Sequence, residues 1–106
     1  MRRILFICSR NRLRSPTAET LFATHDTETA SAGLAPDADQ VLSLDQIEWA
    51  DLIFVMEKQH KSKLNQRFAA AVKGKKVVCL DIPDRFQYMQ PELVDVLKQK
   101  VARHLR

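Results

Sequence analysis

Cys8 and Arg14 stand six places apart, with Ser15 directly after, in the run Cys8-Ser9-Arg10-Asn11-Arg12-Leu13-Arg14-Ser15. An ionised thiol is a strong nucleophile, and a guanidinium can hold two oxygens of a phosphoryl group at once. A loop of this length, set between a strand and a helix N-terminus, can wrap a tetrahedral anion with backbone N–H groups, helped by the helix dipole. Cys8 at its start lies beside those donors and Arg14, surroundings that favour a thiolate. Ser15 is placed to donate a hydrogen bond to the sulfur and make it a better leaving group. The chemistry this pattern supports is phosphoryl transfer through a phosphocysteine. Spacing alone is a weak signal; its weight comes from the buried-strand run before it and the helix start after it.

Release of an oxyanion near neutral pH benefits from a proton donor, which can later deprotonate the attacking water. Asp81 and Asp84 compete for that role in Asp81-Ile82-Pro83-Asp84-Arg85-Phe86. Asp near Pro is also a common turn residue. Phe86 and Tyr88 can either wall a pocket against an aryl group or pack this loop onto the last helix.

The elements that must position these residues follow from the apolar patterning. Residues 3 to 8 form a short continuous apolar run, as expected of a strand buried on both faces. Ser15 as N-cap and Pro16 at the first helical position predict a helix with Ala18, Leu21, Phe22 and His25 on one face. Residues 28 to 32 read as a weak strand ending at Gly33, and 34 to 42 as a loop. Ser43 with Gln46 three places on is a capping-box pattern for a short helix to about Ala50. Residues 51 to 56 predict a second buried strand, and Lys58 to Val72 a helix with Leu64 and Phe68 inward. Gly74 ends it, 77 to 80 is the last strand, and Pro91 opens a helix striped by Leu93, Val94, Leu97, Val101 and Leu105. Apolar strands alternating with amphipathic helices predict an α/β fold: a three-layer, doubly wound, four-stranded parallel sheet flanked by helices. Ligands of such sheets bind beyond the carboxyl ends of the strands, where Cys8 and the Asp81–Asp84 loop both fall.

A chain of 106 residues, 45% hydrophobic with two glycines and four prolines, is expected to form a single domain over residues 1–106. The N-terminal apolar run stops after five residues and meets Arg10, Arg12 and Arg14, which argues against export. No run approaches a membrane span, so a cytoplasmic protein without membrane contact is expected. Cys8 and Cys79 are too few and too far apart for a disulfide framework or a metal cluster. Cys79 lies in an apolar strand and reads as core. His25, His60 and His104 have no ligand spacing, so no metal is expected. The net charge of +4 fits a solvated surface or an anionic ligand. Aromatic platforms and nucleic-acid motifs are missing, so no nucleic-acid partner is expected.

The segment from Ile7 to Glu19, Ile-Cys-Ser-Arg-Asn-Arg-Leu-Arg-Ser-Pro-Thr-Ala-Glu, resembles the active-site loop of the low-molecular-weight protein tyrosine phosphatases. Ser31-Ala32-Gly33 is similar to the segment after that family's second strand, and Trp49 to Glu57 to its third strand. Asp81 to Asp84 is similar to its general-acid loop. The resemblance covers most of the chain and implies a short member of the family, hence a hydrolase without metal or cofactor. By it, Cys8 is the nucleophile, Arg14 the phosphate clamp, Asn11 a brace of the loop and Ser15 the aid to sulfur. Ser9, Arg10, Asn11, Arg12 and Leu13 would form the substrate-binding loop. Asp84 is favoured as the acid because some relatives run Asp-x-Pro-Asp, with Phe86 then at the aromatic position facing substrate. The implied partner is a phosphorylated protein or a small aryl phosphate, acted on by a monomer. Three departures stand out: Arg10 replaces the family's Gly, Leu13 its neighbouring second Cys, and residues 34 to 42 contain no aromatic. The competing readings are a cysteine phosphocarrier of a sugar-transport system, which needs no general acid, and a non-catalytic module binding phosphate or nucleic acid.

Overall fold

Ile4, Leu5, Phe6 and Ile7 have no exposed surface, so the first strand must be covered on both faces. Side chains alternate across a strand, and the core is accordingly split in two. Ile4, Phe6 and Cys8 join one cluster, while Leu5 and Ile7 join the other. The computed structural model describes residues 2 to 105. In it, β1 (Arg2–Cys8), β2 (Thr27–Gly33), β3 (Leu52–Val55) and β4 (Lys76–Cys79) form one sheet of order β2-β1-β3-β4. Every pairing is parallel, with Cys8 opposite Gly33 and Ile7 opposite Val55.

Helices α1 (Arg14–Phe22) and α4 (Pro91–Ala102) cover one face. There Phe6 stacks on Phe54 and on Phe22 at 5.5 and 5.8 Å, and Leu93, Leu97 and Val101 seal the layer. Helices α2 (Leu44–Trp49) and α3 (Lys58–Val72) cover the other face through Ile47, Leu64 and Val72, with Trp49 and Phe68 partly buried beside them. From β1 the chain crosses by α1 to one side, and from β3 by α3 to the other. The two connections diverge above β1 and β3, which opens a crevice at their carboxyl ends. This is the α/β three-layer parallel architecture read from the patterning. Among the described residues, no helix is long and apolar enough to cross a membrane.

Local differences have physical causes. Ser15 does not cap α1; the helix starts at Arg14 with Leu13 at the cap position, because the Ser15 hydroxyl is spent on Cys8 and Asn11. The Leu13 carbonyl instead receives the Thr17 N–H and hydroxyl at 3.2 and 2.6 Å. His25 lies beyond the helix and is exposed, not on its inner face. The last strand begins one residue earlier than expected, since Val55 aligns with Cys79. The Ser43–Gln46 capping box forms in both directions.

One glycine is required by crowding. A Cβ at Gly33 would lie 2.6 Å from the Ala38 Cβ, 2.6 Å from the Ser9 carbonyl oxygen and 3.0 Å from the Arg10 carbonyl carbon. Three segments therefore meet at its α-carbon: the end of β2, the loop after β1 and the loop at 34–40. Gly33→Ala is expected to cost about 1–3 kcal/mol by overpacking. Gly74→Ala, at φ +86° but with nothing within 4 Å, should cost only about 1 kcal/mol of left-handed backbone strain. Urea unfolding of the two variants checks the order; equal midpoints would contradict it.

Candidate active site

The loop after β1 is built by backbone contacts to the 34–40 segment. The Cys8, Ser9 and Arg10 carbonyls receive N–H groups from Leu34, Ala35 and Asp39 at 3.1, 2.8 and 3.1 Å. With those carbonyls held outward, the loop turns inward at Asn11, which has φ +57°. Asn tolerates the left-handed region better than most residues. Arg10 is not among the residues with positive φ, so the Arg in place of Gly imposes no backbone strain there.

The side chains converge on Cys8, which is 3% exposed. Asn11 donates its Nδ2–H to Ser15 Oγ at 2.9 Å, and Ser15 Oγ lies 2.8 Å from Cys8 Sγ. Since the Asn11 amide occupies the Ser15 oxygen as donor, the single Ser15 hydroxyl proton is left for the sulfur. The Asn11 backbone N–H also points at Cys8 Sγ, at 3.2 Å. Two donors therefore converge on one sulfur.

Arg14 is 2% exposed. Its Nη1 donates to Glu57 Oε2 at 2.8 Å and to the Ile82 carbonyl at 2.6 Å. Both Nη1 protons are thereby used, and the Nε–Nη2 edge remains for a ligand. Asp84 Oδ1 stands 3.7 Å from Nε. Cys8, Ser9, Arg10, Arg12, Leu13, Arg14 and Asp84 line one cavity of about 220 Å³. Asp81 is not in it. Its backbone is left-handed at φ +53°, its carboxylate accepts the Cys79 thiol at 3.4 Å, and its carbonyl accepts Lys100 Nζ at 3.1 Å.

Phe86 does not wall this cavity. It is buried in the α1/α4 core, with the Arg85 guanidinium 5.4 Å from its ring centre, because an apolar ring gains more from that layer than from a wet rim. Tyr88 is half exposed, its hydroxyl 3.2 Å from Thr20 Oγ1. Arg10 and Arg12 reach the rim but are paired outward: Arg12 Nε to Asp39 at 3.2 Å, and Arg10 to Asp37 at 4.0 Å. Cys79 packs against the α2/α3 core, and burial pushes its thiol up.

Two residues at the start of α3 went unassigned in the sequence. Glu57 carries the counter-charge of Arg14. His60 is 1% exposed; its Nδ1 accepts the Glu57 N–H at 3.0 Å, and its Nε2 lies 2.9 Å from Ser9 Oγ. The available signal was the repeat of the Ser43–Gln46 spacing, a polar residue three places after a strand-end Glu.

No protein-family profile matches the chain, and no curated protein matches it. Solved structures do. The low molecular weight protein tyrosine phosphatase SP-PTP from Streptococcus pyogenes superposes with a TM-score of 0.80 at 14% identity, over 99% of this chain and 91% of that one. YwlE arginine phosphatase from Geobacillus stearothermophilus gives 0.76 at 24%, over 99% and 93%. Wzb from Vibrio vulnificus, in complex with benzylphosphonate, gives 0.76 at 24%, over 97% and 96%. The chain has their fold. In that fold the crevice above β1 and β3 is the place where Cys8, Arg14 and Asp84 meet.

His60 is held neutral. Burial, then the Arg14 charge, lowers its pKa from 6.5 to about 4; Lys63 adds to the fall, and Glu57 and Asp84 oppose it. Below pH 6.5 the unfolded chain takes up a proton that the folded chain refuses until about pH 4. Stability from this group is therefore full above pH 6.5 and falls with pH, the loss being complete near pH 4. The total is up to about 3 kcal/mol. Urea midpoints between pH 7 and 5 should fall in the wild type and stay flatter in His60→Asn; parallel curves would refute this account.

Proposed function

We propose that this chain is a phosphomonoester hydrolase of the protein tyrosine phosphatase kind, acting through a phosphocysteine on Cys8. The observation that carries the reading is a sulfur with two hydrogen-bond donors at the floor of a cavity whose wall is Arg14 and whose rim holds Asp84. The substrate is a phosphorylated protein or a small phosphate ester. The protein works as a monomer in the cytoplasm, from a single domain, and needs no metal or nucleic acid.

In the first step the Cys8 thiolate attacks phosphorus in line with the leaving oxygen. The S–P bond forms as the P–O bond breaks, and Asp84 passes its proton to the departing oxygen. Backbone N–H groups of the loop and the Nε–Nη2 edge of Arg14 hold the equatorial oxygens while charge redistributes. In the second step water attacks phosphorus, Asp84 takes one of its protons, and the S–P bond breaks to release inorganic phosphate. The Ser15 hydroxyl, its oxygen already engaged by Asn11, stabilises the sulfur anion that leaves. A phosphocarrier has no use for an acid at the position of Asp84, so hydrolysis is preferred.

The aryl selectivity expected of Phe86 loses its support, because no aromatic ring lines the cavity among the described residues. Leu13 and two arginines form the rim instead, and substrate choice rests on them. The test is hydrolysis of p-nitrophenyl phosphate without added metal. Cys8→Ser is expected to abolish turnover, and Asp84→Asn to lower kcat about 10²- to 10⁴-fold. Asp81→Asn, which keeps a residue tolerant of positive φ, should leave kcat near wild type. Arg14→Lys should raise KM and lower kcat, since an ammonium cannot make the bidentate contact. A wild type without turnover sinks the reading.

A further inference from the structure

The Ser9–His60–Glu57 array is not explained by nucleophilic attack on phosphorus, and its hydrogen bonds fix what it does. A backbone N–H can only donate, so the contact from Glu57 N to His60 Nδ1 requires a lone pair on Nδ1. In the neutral ring the proton then sits on Nε2, and Nε2–H donates to Ser9 Oγ at 2.9 Å. That bond uses a lone pair of Ser9 and leaves the Ser9 hydroxyl proton unspent. Among the described residues, Ser9 Oγ has no other hydrogen-bond partner, and Ser9 lines the cavity beside Cys8 and Arg14.

The array imitates a serine nucleophile with its histidine base, but its polarity is reversed. Nε2 already carries a proton and cannot take one from Ser9. The carboxylate of Glu57 lies 3.8 Å from that same Nε2, not from Nδ1, and is engaged by Arg14 at 2.8 Å. Arg14 and Lys63 repel a second proton on the ring, against the pull of Glu57 and Asp84.

We propose that His60 is a positioning residue, which by donating to Ser9 Oγ turns the Ser9 hydroxyl proton into the cavity as a dedicated donor to the bound phosphoryl oxygen. The inference rests on the reading of this cavity as a phosphate site. Ser9 thereby contacts the ligand through its side chain as well as through the loop backbone. The same ring fixes the Glu57 backbone, whose side chain holds Arg14, so one imidazole sets two of the groups facing the anion.

A double-mutant cycle in Ser9→Ala and His60→Asn tests this. Asn at position 60 can still accept the Glu57 N–H but cannot reach Ser9, whereas Gln can reach Ser9 with an amide N–H. The readouts are calorimetric affinity for inorganic phosphate at pH 7 and kcat and KM for p-nitrophenyl phosphate. Each single variant is expected to weaken phosphate binding about tenfold, the loss of one hydrogen bond to a charged group. The double variant should be little weaker than either single, because both remove the same bond. His60→Gln should recover most of the loss, and should recover none when Ser9 is Ala. Additive losses in the double variant would overturn the proposal, as would unaltered phosphate affinity in Ser9→Ala. Ser9→Ala removes only a half-buried hydroxyl, so it decides the matter even if a His60 variant unfolds. A wild type that binds phosphate without turnover refutes hydrolysis, while the cycle in phosphate affinity still judges His60. A wild type that binds no phosphate overturns both.

Discussion

A guanidinium with 2% of its side chain exposed must have its charge and its donors answered inside the protein. Arg14 meets that condition with groups from two distant connections. Glu57, at the turn from β3 to α3, supplies the counter-charge, and the loop after β4 supplies the Ile82 carbonyl and the Asp84 carboxylate. The first turn of α1, the start of α3 and the loop after β4 are thereby tied to one point. A buried pair of this kind adds little net stability, because desolvation offsets its attraction. Its effect is on uniqueness: any loop arrangement that separates Glu57 from Arg14 leaves a buried charge unanswered. Position, more than stability, is what the pair secures.

The loop around Cys8 is shaped before any ligand arrives. Its carbonyls are turned outward to Leu34, Ala35 and Asp39, and Gly33 allows the 34–40 segment to approach. Asn11 provides both the left-handed turn and the brace to Ser15. Binding an anion then requires little ordering of the backbone, which is the usual source of affinity and rate in such sites. Thr17 extends this order to the far side. Its hydroxyl accepts the Met89 N–H at 3.0 Å, which fixes the end of the loop that carries Asp84.

Much of this was legible from local pattern. The continuous apolar runs gave the parallel sheet, the Ser43–Gln46 spacing gave α2, and Cys8, Arg14 and Ser15 were marked by spacing and context. What was not legible depends on contacts between residues far apart in sequence. Phe86 has the same type whether it faces substrate or core, and only the depth of the α1/α4 layer decides. Ser15 looks like an N-cap until Cys8 and Asn11 claim its hydroxyl. His60 looks like one more scattered histidine, because Ser9 lies 51 positions away. The partners of the rim arginines in the 34–40 segment, Asp37 and Asp39, looked like ordinary loop residues for the same reason.

Those rim pairs bear on how the site selects its ligand. Arg10 and Arg12 carry two positive charges to the mouth, and Asp37 and Asp39 return two negative ones. On the proposed reading, selection of a phosphate therefore rests less on net charge at the mouth than on the hydrogen-bond donors in the depth of the cavity: Arg14, the loop N–H groups and the start of α1. Exposed pairs of this sort are worth at most about 1 kcal/mol, so either arginine can exchange its aspartate for a charge on the substrate at little cost. On that reading a buried cation sets which group is bound, and any choice among substrates falls to Leu13 and these weak, exchangeable pairs at the rim.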